Sequence, residues 1–164
     1  EEIKKDIQNY YDQRTEELVR GKLVGEIIKN NDFVPPKSLV NNILEEYVKN
    51  EEEQSKKSKY PFNKEETRKR LLKSAENEVK WYLIRAEIQK NENIVITDDE
   101  IKETAEKEAE KIGIPVDKII NYYKTSNQTE RMLDQKLFDF LKSNNTINKV
   151  HPDKLKVKRE AANE

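Results

Sequence analysis

The sequence predicts an all-α protein, elongated rather than compact, and three observations carry that reading. Apolar residues recur at helical spacing in several long segments. The prolines and capping signals fall between those segments, where helices stop and start. Strand signal is limited to a few residues around Val95. Composition agrees. With 40% charged residues and a mean hydropathy of −1.09 the chain is very polar. Even so, Leu, Ile, Val and Phe make up 40 of 164 residues and the net charge is only −1, which favours folding over disorder. The expected core is thin, and long helices with much exposed surface suit it better than a ball.

The first segment, Glu1 to Asn31, carries Ile3, Ile7, Tyr10, Leu18, Gly21, Gly25 and Ile28 close to one line, with Val24 and Ile27 beside them. About 30 residues at 1.5 Å each make a rod of roughly 45 Å. Gly21 and Gly25, four apart on the stripe, predict a close crossing with another helix. The stretch NNDFVPPKSLV then ends the rod near Asn31, because Pro35 and Pro36 lack N–H donors and disfavour helix in the residue before them. Proline is welcome in a first helical turn, and Leu39, Val40, Ile43, Leu44, Tyr47 and Val48 follow at helical spacing. Phe33 and Val34 sit at this corner, either plugging it or left exposed.

The second helix is expected to run from about Pro36 to about Glu53, with EEEQSKKSKYPFN as a loop or frayed connector. Asn63 and Glu66 have capping-box spacing and open a third helix. Arg68, Leu72, Ala75, Val79, Tyr82 and Ala86 form its stripe, with Glu65–Lys69 and Glu66–Arg70 as exposed pairs. In VKWYLIRAEI apolar side chains point in nearly every direction, which marks this helix as the hub. Thr97 and Glu100 again have capping-box spacing, before a helix from Asp98 to Ile112 striped by Ile101, Ala105, Ala109 and Ile112. Gly113 stands where a left-handed C-terminal residue is expected, and Pro115 opens a short helix, VDKIINYYKT. A last helix from about Asn127 to Ser143 carries Leu133, Leu137, Phe140 and Leu141. The domain reading is a helical body over residues 1–147 and a loose charged tail over 148–164.

Residue types exclude much chemistry. Cysteine is absent, so disulfides and thiolate sites are excluded. The three glycines, at 21, 25 and 113, cannot form a phosphate-binding or dinucleotide-binding loop. The single histidine, His151, lies in the tail, which argues against a zinc site or a catalytic triad. No cofactor or metal is implied. The acidic runs Glu51–Glu53 and Asp98–Glu100 read as solvated faces, the second favoured by a helix N-terminus. Balanced charge argues against nucleic acid as a partner, and apolar runs such as WYLI are far too short to span a membrane. In the pairs Tyr10–Tyr11 and Tyr122–Tyr123 at most one member can be central to a core, so the others should lie at edges. The chain begins on EEIKK without an initiator methionine or an apolar leader, and reads as a soluble, excised or processed piece.

In this order and spacing, the NNDFVPPKSLV corner, AENEVKWYLIRAEIQKNENIVITDDEI, and VDKIINYYKTSNQTERMLDQKLFDFLKSNNTINK resemble the C-terminal domain of bacterial trigger factor, a ribosome-associated folding chaperone. The resemblance spans Glu1 to Lys149. It implies a cytoplasmic, ATP-independent chaperone body in which two arms, one from the second and third helices and one from Asp98 to Ser143, enclose a cradle for unfolded or nascent polypeptides. It also implies no enzyme activity in this piece, since the prolyl isomerase domain is missing, and ribosome contact only through a missing N-terminal domain. Client segments are expected to rest against Phe33, Val34, Leu39, Ile43, Tyr47, Tyr60, Phe62 and Tyr122. Their dissociation constants would be roughly micromolar to millimolar, about −8 to −4 kcal/mol. The alternatives are a structural helical spacer or homodimerisation module, and a helical core of the SurA-type periplasmic chaperones.

Overall fold

In the computed structural model, which describes residues 2–148 and 150, the first helix α1 (Glu2–Asn30) stops at the proline corner. Five more helices follow: α2 (Lys37–Ser58), α3 (Lys64–Asn91), α4 (Asp98–Ile112), α5 (Val116–Thr125) and α6 (Gln128–Ser143). No strand occurs among the described residues. The all-α expectation holds, and the local signals explain most of the boundaries. Pro36 is the N-cap residue of α2, with Val40 N–H donating to its carbonyl at 3.1 Å. Thr97 and Glu100 form a full capping box at α4. Gly113 ends α4 in the left-handed conformation at φ 70°, which glycine adopts without a Cβ penalty. At α3 the box is half made: Asn63 Oδ1 accepts from Glu66 N–H at 3.2 Å. The tail expected over 148–164 lies outside the described residues but for Asn148 and Val150, and His151 is outside them too.

One connector differs from expectation. The segment Glu51 to Ser58 is helix, not loop. Glu, Gln and Lys are good helix formers whatever their charge, and Lys56 pairs with Glu52 one turn earlier at 2.7 Å. The helix ends at Lys59, which is left-handed at φ 55°, and Ser55 Oγ, buried, donates to the Tyr60 carbonyl at 2.6 Å. The break therefore occupies only Lys59–Asn63, around Pro61. Of the exposed pairs expected along α3, Glu66–Arg70 is redirected, since Arg70 reaches Glu51 of α2 at 3.0 Å; Arg68, expected on the stripe, pairs with Glu45 of α2.

The thin core is split into three apolar clusters rather than one. Val40, Leu44 and Val48 of α2 pack on Ala75 and Val79 of α3. Ile101, Ala105 and Ala109 of α4 pack on Ile119 and Tyr123 of α5. Between them, Leu137, Phe138 and Leu141 of α6 pack with Ile94, with Leu23, Val24 and Ile27 of α1, and with Trp81 and Ile88 of α3. The second half of α3 is thus the hub that its all-round apolar pattern predicts. Two stripes end sooner than expected, since Leu72, Tyr82 and Ala86 of α3 and Ile112 of α4 are exposed. The α2–α3 and α4–α5 hairpins each hold a cluster of their own. The helix α6, expected within the second arm, packs on α4 and α5 through Met132 and the Lys136–Glu100 pair, and it also joins α1 and α3 in the central cluster, where Arg85 donates to Asp134 at 2.8 Å and the Trp81 and Phe138 rings lie 5.8 Å apart.

Three of the four paired tyrosines lie at the surface, as adjacency requires of at least two. Tyr122 is exposed and Tyr123 buried, and both Tyr10 and Tyr11 are exposed. The Tyr123 hydroxyl donates to Glu108, and burial, followed by that carboxylate, pushes its pKa from the ordinary value near 10 up to about 12. A phenol whose folded pKa is raised contributes stability that is intact below pH 10 and is lost as pH climbs towards 12. The denaturation midpoint should therefore fall across that window in the wild type, and fall less in Tyr123→Phe.

The close crossing expected at Gly21 and Gly25 does not occur. A Cβ built at either position meets nothing within 4 Å among the described residues, and both glycines are exposed on α1. Each carries the entropic cost of an interior helical glycine with no contact to offset it. Gly21→Ala and Gly25→Ala should each stabilise the chain by about 0.5–1 kcal/mol in urea unfolding.

Candidate functional site

Two apolar-lined clefts flank the crossing of α1 and α3. The first, about 370 Å³, is lined by Ile27 and Asn31 at the end of α1, Phe33 at the corner, and Leu83, Ile84, Glu87, Ile88 and Asn91 of α3. The second, about 420 Å³, is lined by Val24 and Ile28 of α1 and by Asn77, Glu78, Trp81, Tyr82 and Arg85 of α3. They exist because the second half of α3 is apolar on most sides while α1 covers only part of it. The polar groups at their edges are mostly engaged. Asn31 Nδ2 donates to the Ile27 carbonyl at 2.8 Å, Asn91 Nδ2 donates to Glu87 Oε1 at 3.2 Å, and Arg85 is held by Asp134.

The structure divides the eight residues expected from the sequence. Phe33 is half-buried and lines the first cleft. Val34, beside it, is 86% exposed, and Leu39, Tyr60 and Tyr122 are exposed as well. Ile43, Tyr47 and Phe62 are half-buried and pack against the α2–α3 cluster. Tyr60 stands at the hairpin tip, where its hydroxyl lies 3.4 Å from Glu51 Oε1. Desolvation first, then the Glu51 carboxylate, raise its pKa. Only Phe33 of the eight lines either cleft. Sequence reasoning placed Ile27 and Tyr82 on packing stripes and did not single out Ile84, although for the α3 residues the signal was present in VKWYLIRAEI, a helix segment with more apolar faces than one partner can cover.

Chemically the clefts are suited to holding, not to transforming. Among the described residues no group of three His, Asp or Glu side chains is placed to bind a metal ion. A cleft of this kind accommodates an apolar side chain. Full burial of a Val, Leu or Phe side chain contributes about 1.5–3 kcal/mol, and an open cleft covers only part of one, so each such contact is weak alone.

A second unpartnered surface lies on the first half of α1. Ile3, Ile7, Tyr10, Tyr11 and Leu18 are all exposed among the described residues, while farther along α1 Glu16 pairs with Lys142 of α6 at 2.5 Å and Arg20 lies over the Phe138 ring at 3.9 Å. No described helix is long and apolar enough to cross a membrane.

Comparison with known proteins places this architecture. The family model of the bacterial trigger factor protein C-terminus matches residues 1–150. The chain is 27% identical over 154 residues to trigger factor of Chloroherpeton thalassium, an alignment covering 90% of this chain and 36% of that protein. It is 25% identical over 147 residues to trigger factor of Salinibacter ruber, covering 85% and 32%. It is 28% identical over 152 residues to trigger factor of Mesoplasma florum, covering 87% and 36%. The chain thus spans about a third of the length of the curated relatives it matches. No solved structure matches it.

Proposed function

This chain belongs to the family of the bacterial trigger factor C-terminus, and on that premise we propose that it is a cytoplasmic chaperone body that holds apolar segments of unfolded or nascent polypeptides transiently and without ATP. The helical body to residue 147 is the holding unit and 148–164 a charged tail. The matched region is the C-terminal one of the family's proteins and not their isomerase region, so the chain is not an enzyme. Ribosome docking, on this reading, belongs to parts of the longer relatives that it does not align with.

The observation that carries the reading is the pair of open clefts beside α1, lined in large part by apolar side chains, in a chain of which 40% of the residues are charged. On this reading Phe33 is the contact within the first cleft, the exposed Val34, Leu39, Tyr60 and Tyr122 are further client contacts outside the clefts, and Ile43, Tyr47 and Phe62 offer the part of their surface that the α2–α3 hairpin leaves uncovered. Contacts of a few kcal/mol each release quickly, so no nucleotide cycle is required. The absence of any phosphate-binding loop in the sequence is consistent with that. The test is direct. At stoichiometric amounts the 164-residue chain should slow the aggregation of a chemically unfolded client equally with and without ATP. No delay at any ratio would remove the reading.

The exposed apolar side of α1 favours a second reading, self-association through that face as a homodimer. Sedimentation of the wild type and of Ile7→Lys decides it. A dimer that the substitution dissociates supports it, and a monomeric wild type at the concentrations used for client binding excludes it.

A further inference from the structure

One buried charge stands beside the Phe33 wall of the first cleft. Lys80, on α3, is 8% exposed, and its ammonium reaches out of the helix to the corner that follows α1. There Nζ donates to Asp32 Oδ1 at 3.0 Å and lies 5.5 Å from the centre of the Phe33 ring, within the range of a cation–π contact. The corner has few other ties. Residues 32–35 make no backbone–backbone hydrogen bond with any described residue, the last bonds before the corner being those of Asn31 N–H to Ile27 and Ile28. Pro35 is buried, but Asp32 and Val34 stand in solvent. Burying an ammonium is costly unless it is paired, and a hydrophobic residue of similar length would fill the same space without that cost.

We propose that Lys80 is a positioning residue for client binding: it pins Asp32 and the Phe33 ring, and so fixes the wall that Phe33 contributes to the first cleft. This deepens the chaperone reading and rests on it. The placement follows from register. Lys80 precedes Leu83, Ile84 and Glu87 by one to two turns on α3, so the side chain that anchors the corner and those that floor the cleft share one rigid element. Without the ammonium, proline stiffness alone would hold the corner, and Phe33 would sample positions away from Ile84 and Ile88. A preformed wall avoids the ordering cost that a mobile one would impose on each client contact.

The test uses the 164-residue chain, with Lys80→Met retaining the aliphatic stem and Lys80→Arg retaining the charge. Two quantities are read: backbone ¹⁵N order parameters over residues 32–34, and affinity for a permanently unfolded, fluorescently labelled client. In the wild type the order parameters should be near 0.85, and in Lys80→Met they should fall below about 0.6. Client affinity should weaken about tenfold in Lys80→Met, with Lys80→Arg restoring most of both. Asp32→Asn, at a side chain 94% exposed, should move both readouts the same way by a smaller factor, and it carries the test if Lys80→Met does not fold. Unchanged order parameters in Lys80→Met and Asp32→Asn alike overturn the positioning role. A wild type that binds no client sinks the chaperone reading, while the order parameters still decide whether Lys80 holds the corner.

Discussion

Replacing Leu137 by alanine should cost the chain about 2–5 kcal/mol, the range for a fully buried leucine whose cavity does not collapse. Leu137 is fully buried, at the centre of the cluster where α6 meets α1 and α3. The expectation goes beyond size. The three clusters are joined through three segments: α3 contributes to the α2–α3 cluster and the central one, α6 reaches from the central cluster to Met132 beside α4 and α5, and the α3–α4 connector places Ile94 in the central cluster and Ile96 against the α4–α5 one. Loosening the centre should therefore uncouple the hairpins as well as weaken the fold. Urea unfolding followed by circular dichroism should show a lower midpoint and a shallower transition, because a single cooperative unit becomes two. Val34→Ser, at a solvent-exposed corner, should leave the same curve within about 0.5 kcal/mol of wild type. A change below about 1 kcal/mol for Leu137→Ala would mean that the central cluster is not the joint of the molecule.

Much of this fold was legible because its boundaries are written in residues with strong local rules. Pro35 and Pro36 stop one helix and open the next, Thr97 with Glu100 starts α4, and Gly113 ends it. The buried member of the second tyrosine pair could not be chosen from sequence, but that only one could be central followed from helical geometry. What failed were inferences in which composition stood in for structure. The acidic and lysine-rich run after Val48 looks like a connector, yet its residues are helix formers in an i,i+4 pair, and only Lys59 to Asn63 break the helix. Glycines four apart look like a crossing, but spacing says only that a backbone is able to approach, not that one does. The clefts were only half legible, through the surplus of apolar faces in VKWYLIRAEI, for a related reason. They are formed where α1 fails to cover α3, and periodicity reports which side chains are apolar without reporting how much of them a neighbour covers. Lys80 was hidden likewise. A lysine in a stripe of mixed residues gives no sign in sequence that its ammonium turns back to the corner 48 positions earlier.

Phe33→Ser and Tyr47→Ser should separate in opposite directions, although the sequence presents both as apolar residues beside the same corner. Phe33 lines an open cleft, so its loss removes a binding wall and little packing. Client affinity should weaken tenfold or more, about 1.4 kcal/mol, while unfolding free energy changes by less than about 1.5 kcal/mol. Tyr47 is half-buried and packs against the α2–α3 cluster inside the hairpin. Its removal leaves a cavity and should cost about 2–4 kcal/mol of stability, with the affinity of the molecules that remain folded unchanged within about twofold. Both numbers come from one pair of experiments, denaturant unfolding and titration with an unfolded client under conditions where more than nine tenths of each variant is folded. If Phe33→Ser destabilises as much as Tyr47→Ser and leaves client affinity untouched, the apolar residues of the corner serve packing alone. The clefts beside α1 would then be gaps between helices rather than a place where another polypeptide rests.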